Sequence, residues 1–149
     1  PDRLALLYDY CHSKGYLAEQ DGELRLTGEG AARLASREPE DPAEMYRFWI
    51  RLYRAAIPNL PALVRLIDRL ADRWVTVDSL RGVLRPFVRP FYYDDPDAVL
   101  DKRVFKMMLH LGLIRIGEDD GGRAALRMTN AGRKLVAGVR IRDAEPIPI

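Results

Sequence analysis

Apolar residues recur every three or four positions over most of this chain, and short alternating segments separate the helical stretches. The spacing predicts one amphipathic helix at residues 3–14 and another at residues 98–111. Each is followed by a glycine, Gly15 or Gly112, which suits the left-handed turn that ends a helix. The pattern then changes to strand, turn and strand, which predicts a β-hairpin. A second short helix follows each hairpin, at residues 31–35 and 133–137.

The two stretches are an internal repeat. The string Gly15-Tyr16-Leu17 with Leu24-Arg25-Leu26-Thr27 recurs as Gly112-Leu113-Ile114 with Leu126-Arg127-Met128-Thr129. The first hairpin turns at Asp21-Gly22, and the second has a longer turn at residues 118–123 between strands at residues 113–116 and 125–128.

Local chemistry accounts for the second copy of the repeat. Asp95 and Pro96 supply an N-cap and a proline at the first helical position, and Thr129 is placed to cap the helix after the hairpin. The helix between them carries an apolar face formed by Leu100, Val104, Met107, Met108 and Leu111.

Two further helices precede the second copy. One is predicted at residues 63–74, and another at residues 79–84 with Asp78 as its N-cap. Residues 75–77 between them suit a short strand. The resulting order is helix, strand, helix, helix and hairpin.

That order resembles the winged-helix superfamily, a helix-turn-helix variant whose hairpin is the wing. The segments that carry the resemblance are LGLIRIGEDDGGRAALRMTNAGRKL and KGYLAEQDGELRLTGEGAARL. They are similar to bacterial regulators of the MarR and PadR sort and to winged-helix modules associated with helicases. The resemblance implies a mainly α fold with small β-hairpins (α+β), in which tandem winged-helix-like units are joined by a buried helix.

The expected organisation has four parts. Residues 1–36 form a partial first unit, residues 37–61 a linker and bracing helix, residues 62–140 a complete second unit, and residues 141–149 an extended tail. The bracing helix, at residues 43–57, is apolar over most of its surface. Only one helix precedes the first hairpin, and the two helices expected before it are absent. We therefore expect either that the chain is cut from a longer polypeptide or that the first unit is a half-domain completed by other elements.

Charge is distributed unevenly along the 149 residues. The chain has 24 Lys and Arg against 22 Asp and Glu, a net charge of +2 that identifies no nucleic-acid binder by itself. Residues 1–42 have a net charge of −4, residues 43–93 of +5 and residues 94–149 of +1. The basic middle part contains nine arginines and no lysine. DNA binding therefore suits the second unit better than the first.

The sequence offers little catalytic chemistry, and we predict no enzyme, cofactor or metal site. Cys11 is the single cysteine and His12 and His110 are the two histidines, and no motif surrounds them. Asp94, Asp95 and Asp97 are explained by helix capping. The lone cysteine favours a reducing cytoplasm. No uncharged apolar run approaches the roughly 20 residues that cross a bilayer, so we expect no membrane partner.

Aromatic and basic residues alternate in RPFVRPFYYDD, residues 85–95. Such a segment can stack on nucleic-acid bases, but we favour an irregular loop whose aromatics, Phe87, Phe91, Tyr92 and Tyr93, cover the core.

Two functions are consistent with these features. In the first, helix 98–111 enters the major groove of double-stranded DNA and the hairpin contacts phosphates. The predicted DNA-binding residues are Lys102, Arg103, Lys106, Arg115, Arg123 and Arg127, with His110 beside them. Asp97 and Asp101 near the helix start, and Glu118, Asp119 and Asp120 at the hairpin tip, oppose this function by repelling phosphate. In the second, the chain is a scaffold that contacts other domains of its parent or a second copy, without binding DNA.

Overall fold

A computed structural model describes residues 2–138 of the chain, and these residues form a mainly helical α+β fold with two small antiparallel sheets. The elements are α1 (Asp2–Ser13), β1 (Leu17–Gln20), β2 (Glu23–Leu26), α2 (Gly28–Ser36), α3 (Pro42–Leu52), α4 (Leu60–Leu70), β3 (Val75–Thr76), α5 (Val77–Leu84), a 3₁₀ turn (Arg85–Phe87), α6 (Pro96–Val99), a π-helical segment (Leu100–Phe105), α7 (Lys106–His110), β4 (Ile114–Glu118), β5 (Ala124–Met128) and α8 (Asn130–Gly138). Because α6, the π-helical segment and α7 follow one another without a break, we call residues 96–110 the long helix. The expected tail at residues 141–149 lies outside the described residues.

The internal repeat of the sequence is also a repeat of structure. In both copies the glycine after the helix has a positive φ, +73° at Gly15 and +76° at Gly112. In both copies a threonine after the hairpin caps the next helix: Thr27 Oγ1 accepts from Gly30 N at 3.0 Å, and Thr129 Oγ1 accepts from Gly132 N at 2.8 Å. The predicted hairpins and capping threonines are therefore confirmed.

The two sheets differ in one strand. In the first unit β1 pairs only with β2, and Leu17 lies opposite Leu26. In the second unit β5 lies between β4 and β3, and Leu126 pairs with Ile116 on one side and Val75 on the other. The short strand before α5 therefore completes a three-stranded sheet that the first unit lacks.

One hydrophobic core extends from α1 through α3 into the second unit. Trp49 and Ile50 of α3 and Leu6 of α1 are buried in the same cluster as Ile67 of α4 and Met107 of the long helix. The helix predicted at residues 43–57 is therefore buried along one face only, because Arg47 and Arg51 are exposed, and it ends earlier than predicted, at Leu52.

The linker between α2 and α3 is held against the first unit. Glu40 accepts hydrogen bonds from Tyr10 Oη at 2.6 Å and from Arg33 Nε at 2.8 Å. Arg33 also donates to the carbonyl of Pro39 at 2.9 Å. The hydrogen bond from Tyr10 is the main reason that the pKa of the Glu40 carboxyl lies below its usual value.

Two predicted boundaries in the second unit were wrong. The helix predicted at residues 63–74 ends at Leu70, which leaves Trp74 outside it. The next helix begins at Val77 and is capped by Thr76, whose side chain accepts from Ser79 N at 3.2 Å, whereas Asp78 lies in the first turn and pairs with Arg81. Thr76 has the extended backbone that an N-cap requires, which explains the shift.

Among residues 2–138, no helix has both the length and the apolar character needed to cross a membrane.

Candidate nucleic-acid interface

The long helix is anchored in the core along one face. Asp95 caps its first turn by accepting from Ala98 N at 2.8 Å. The apolar positions predicted from the sequence are buried, and only Leu111, just beyond the helix end, is half-buried. Val99 and Phe105, which the predicted face did not include, are also buried.

Two arginines neutralise the carboxylates near the start of the long helix. Arg81 donates from Nε and Nη2 to the two carboxylate oxygens of Asp101, each at 2.9 Å. Arg85 binds Asp97 in the same two-pronged way, at 2.8 and 3.0 Å. The hydrogen bond from Arg85 lowers the pKa of the Asp97 carboxyl. In the sequence analysis, Asp97 and Asp101 opposed DNA binding because they would repel phosphate. Their pairing with arginine removes most of that repulsion.

The same pairing joins α5 to the long helix. Arg81 lies on α5 and Arg85 in the 3₁₀ turn after it, so two ion pairs join this part of the chain to the long helix. Sequence reasoning did not assign these arginines to the interface, because their partners lie 20 and 12 residues further along the chain.

Two of the predicted DNA-binding residues are engaged by the loop before the long helix. Lys102 Nζ lies 3.0 Å from Asp94 Oδ1 and Arg103 Nη2 lies 3.6 Å from Asp94 Oδ2. The Arg103 guanidinium also lies over the Phe91 ring, 4.7 Å from its centroid. Lys102 remains largely exposed, whereas Arg103 is half-buried and holds the loop in place.

The C-terminal end of the long helix faces α1. Lys106 and His110, on α7, are both half-buried, and each already has an interaction within the protein. Because α1 packs against α7, the first unit covers part of the helix that we expected to enter the major groove of DNA. The half of the helix that contains Lys102 is the more accessible to a ligand.

The aromatic loop is more exposed than expected. Phe91 packs against the core, but Tyr92 and Tyr93 are fully exposed and Phe87 is half exposed. The prediction that all four aromatics cover the core was therefore wrong for three of them. Tyr92 has a φ of +52°, and the bridge between Phe91 and Asp94 closes a tight turn that pushes the two tyrosines outward.

An exposed pair of arginines lies on the second hairpin. Arg115 of β4 is directly opposite Arg127 of β5, and both side chains are exposed. Neither forms an ion pair with a carboxylate within residues 3–138. Like charges directly opposite each other destabilise a sheet, so this pair costs stability unless an anion lies between them.

An exposed tryptophan extends this arginine face. A Cβ atom at Gly117 would lie 3.4 Å from Cη2 of Trp74, so the indole covers the glycine on the face that also carries Arg115. Half of the Trp74 surface is exposed. The sequence-based prediction placed Trp74 in a helix. The one signal in the sequence for its position is Gly117, since a glycine within a strand often marks a place where another group comes close.

One of the three negative charges at the tip of the second hairpin is paired within the turn. Asp119 accepts from the backbone N–H groups of Gly121 and Arg123, both at 2.9 Å, and from Arg123 Nε at 2.7 Å. Its pKa is lowered, chiefly by the backbone hydrogen bond from Arg123. Asp119 therefore forms the turn and occupies Arg123, which the sequence had assigned to phosphate.

The remaining chemistry-bearing residues stay apart. Cys11 is half-buried, and burial raises the pKa of its thiol. His12 is exposed and stacks with Tyr8. Within the described part of the chain, no three His, Cys, Asp or Glu side chains are grouped so that they could hold a metal ion.

No protein-family model matches this chain, and searches of curated proteins and of solved structures found no similar protein.

Proposed function

We propose that the chain is a winged-helix module that binds double-stranded DNA, mainly through backbone phosphates, as part of a bacterial cytoplasmic protein in transcription regulation or DNA processing. Support comes from the order of elements in residues 60–138, in which a helix, a short strand, two helices and a hairpin share one core. In this proposal β4 and β5 form the wing.

The observation that carries the proposal is the Arg115–Arg127 pair. Arg115 and Arg127 lie opposite each other on the outer face of the hairpin and form a cationic site. A phosphate bound between them would offset the repulsion between the two guanidinium groups. Trp74 beside them provides a flat apolar surface for a sugar or base edge. Arg115 and Arg127 are kept from the set predicted from the sequence and Trp74 is added to it, whereas Arg103, Lys106 and Arg123 are no longer included.

The long helix contributes less than the sequence suggested. Lys102 can turn from Asp94 to a phosphate, because its side chain is largely exposed and an exposed ion pair is weak. Neutralised Asp97 and Asp101 would no longer repel the DNA backbone. Positioning on phosphates, with little reading of bases, is the mechanism that these contacts favour.

The proposal is tested by fluorescence anisotropy with a labelled duplex at several salt concentrations. We expect R115E and R127E each to weaken binding and to reduce the slope of log K against log salt by about 0.9 for each phosphate that is no longer neutralised. K134E, a charge reversal at an exposed position of α8, is the matched control and should change both values less. An unsubstituted chain that does not bind the duplex at low salt, or equal effects of R115E and K134E, would refute the proposal.

The alternative function, a scaffold for protein contact without DNA binding, is favoured by one observation. The first unit exposes Leu24, Leu26 and Leu34, which is unusual for an isolated domain. Normal partner binding in a variant that has lost DNA affinity would show that the two functions occupy separate surfaces.

A further inference from the structure

The first unit has an open apolar face where the second unit has a buried core. The repeat aligns Leu24 with Leu126 and Leu34 with Val136; Leu24 is 51% exposed and Leu34 69%, whereas their counterparts are 0% and 9% exposed. The same holds for Leu26 of β2, which is aligned with the buried Met128. In the second unit, α4, α5 and β3 lie against these positions. Residues 3–138 supply no such cover to the first.

Five leucines of the first unit belong to one surface. Leu17 and Leu26 are cross-strand partners in the first hairpin, and Leu24 lies on the same side of the sheet two residues from Leu26. Leu7 of α1 is aligned with Val104 of the long helix, whose side chain shares a core with Leu126. We call the surface formed by Leu7, Leu17, Leu24, Leu26 and Leu34 the open face.

An unpaired strand edge borders the open face. The outer edge of β2 corresponds to the edge of β5 that pairs with β3, and the residue paired there, Leu126, is the counterpart of Leu24. Within the described residues β2 pairs only with β1. An unpaired edge beside an apolar surface is a template for another strand.

We propose that the open face and the edge of β2 bind the same surface of a second copy of this chain, giving a twofold-symmetric dimer. Antiparallel pairing of β2 with the partner's β2 has a twofold axis perpendicular to the sheet, so the leucines of both copies lie on the same side of a four-stranded sheet. Each copy then supplies part of the cover that α4, α5 and β3 supply in the second unit.

Charge selects one register for this pairing. With Leu24 opposite Leu24 of the partner subunit, Glu23 lies opposite Arg25 of the partner subunit, and symmetry makes the ion pair twice. A shift of two residues places Arg25 opposite the partner's Arg25, or Glu23 opposite the partner's Glu23. A shift of one residue sets the leucines of one copy against the charged side of the other. Glu23 and Arg25 are exposed in the single chain, with 3.3 Å between their charged groups, so both are available for the cross-strand pairs.

The proposal is tested by sedimentation equilibrium of the full chain without DNA, so that the outcome is independent of DNA binding. We expect a dimer that L24D abolishes. E23R and R25E should each weaken dimerisation roughly tenfold or more, because each reversal turns two favourable cross-strand pairs into like-charge pairs. The double variant E23R/R25E should restore it, since the exchanged charges again face opposite charges. Reversal of Glu29, an exposed residue at the start of α2, is the control and should leave the dimer unchanged.

Several results would overturn the proposal. One is a chain that stays monomeric at hundreds of micromolar. Another is a dimer that L24D leaves intact, or that the double charge exchange fails to restore. A chain truncated after residue 138 that dimerises when the full chain does not would show that residues 139–149 cover the open face instead. Circular dichroism of each variant checks that the monomer remains folded, which the exposure of all four substituted side chains favours.

Discussion

The glycine in the first turn of α8 provides the sharpest test of how the second unit is packed. A Cβ atom at Gly132 would lie 2.3 Å from the carbonyl oxygen of Leu113 and 2.8 Å from its Cα. Both are backbone atoms, so no side-chain rotation can relieve the overlap. In G132A the helix has to move away from the strand by about an ångström, which stretches the hydrogen bond from Gly132 N to Thr129 Oγ1.

The expected cost can be worked out from three contributions. Overpacking of this kind destabilises by about 1–3 kcal/mol. Loss of the capping hydrogen bond costs about 1 kcal/mol, and the better helix propensity of alanine offsets that by about the same amount. We therefore expect G132A to lower the free energy of unfolding by about 1–3 kcal/mol, or roughly 2–4 °C in Tm for each kcal/mol.

Two further glycines make this prediction specific. Gly82 of α5 has no atom within 4 Å of an added Cβ, so G82A should raise the Tm slightly. Gly30, the counterpart of Gly132, meets the Tyr16 carbonyl oxygen at the same 2.3 Å, but α2 is otherwise largely exposed and can shift. We expect G30A to cost less than G132A. Thermal unfolding followed by circular dichroism measures all three, and a G132A protein as stable as the parent would refute the packing argument.

Other predictions concern the ion pairs and caps. R81A should lower the free energy of unfolding by about 1 kcal/mol, since it leaves the half-exposed Asp101 without its bidentate partner. Urea denaturation measures this, and an unshifted midpoint would show that the pair contributes nothing. D95A should cost about 1 kcal/mol through the lost cap at Ala98 N; equal stability of D95A and D95N is the contrary result. The lowered pKa of Glu40 means that its stabilising contribution is complete above the usual carboxyl pKa and is lost as pH falls through the folded value. E40Q should therefore be less stable than the parent at pH 7 and approach it as the pH falls through the lowered pKa of Glu40, and a stability difference that does not change with pH would contradict this assignment.

The candidate interface was only partly predictable from the sequence. Arg115 and Arg127 were selected correctly as exposed cations on the hairpin, because alternation along a strand fixes the side on which a residue lies. Arg103 was selected from a helix and Arg123 from the hairpin turn, but their partners, Asp94 and Asp119, are brought to them by the shapes of a loop and a turn. Counting charges along the chain cannot tell a solvated arginine from one that holds a loop.

What the sequence determined by itself was local. The caps at Thr27, Asp95 and Thr129 and the left-handed glycines at Gly15 and Gly112 act within a few residues, so their patterns located the helices and hairpins of both repeats. What the tertiary structure decided were contacts between distant residues, such as Arg81 with Asp101 and the placement of α1 on α7. The same repeated motif is buried in one unit and exposed in the other. Burial depends on which other elements pack against a surface, and the sequence of the motif does not specify those elements.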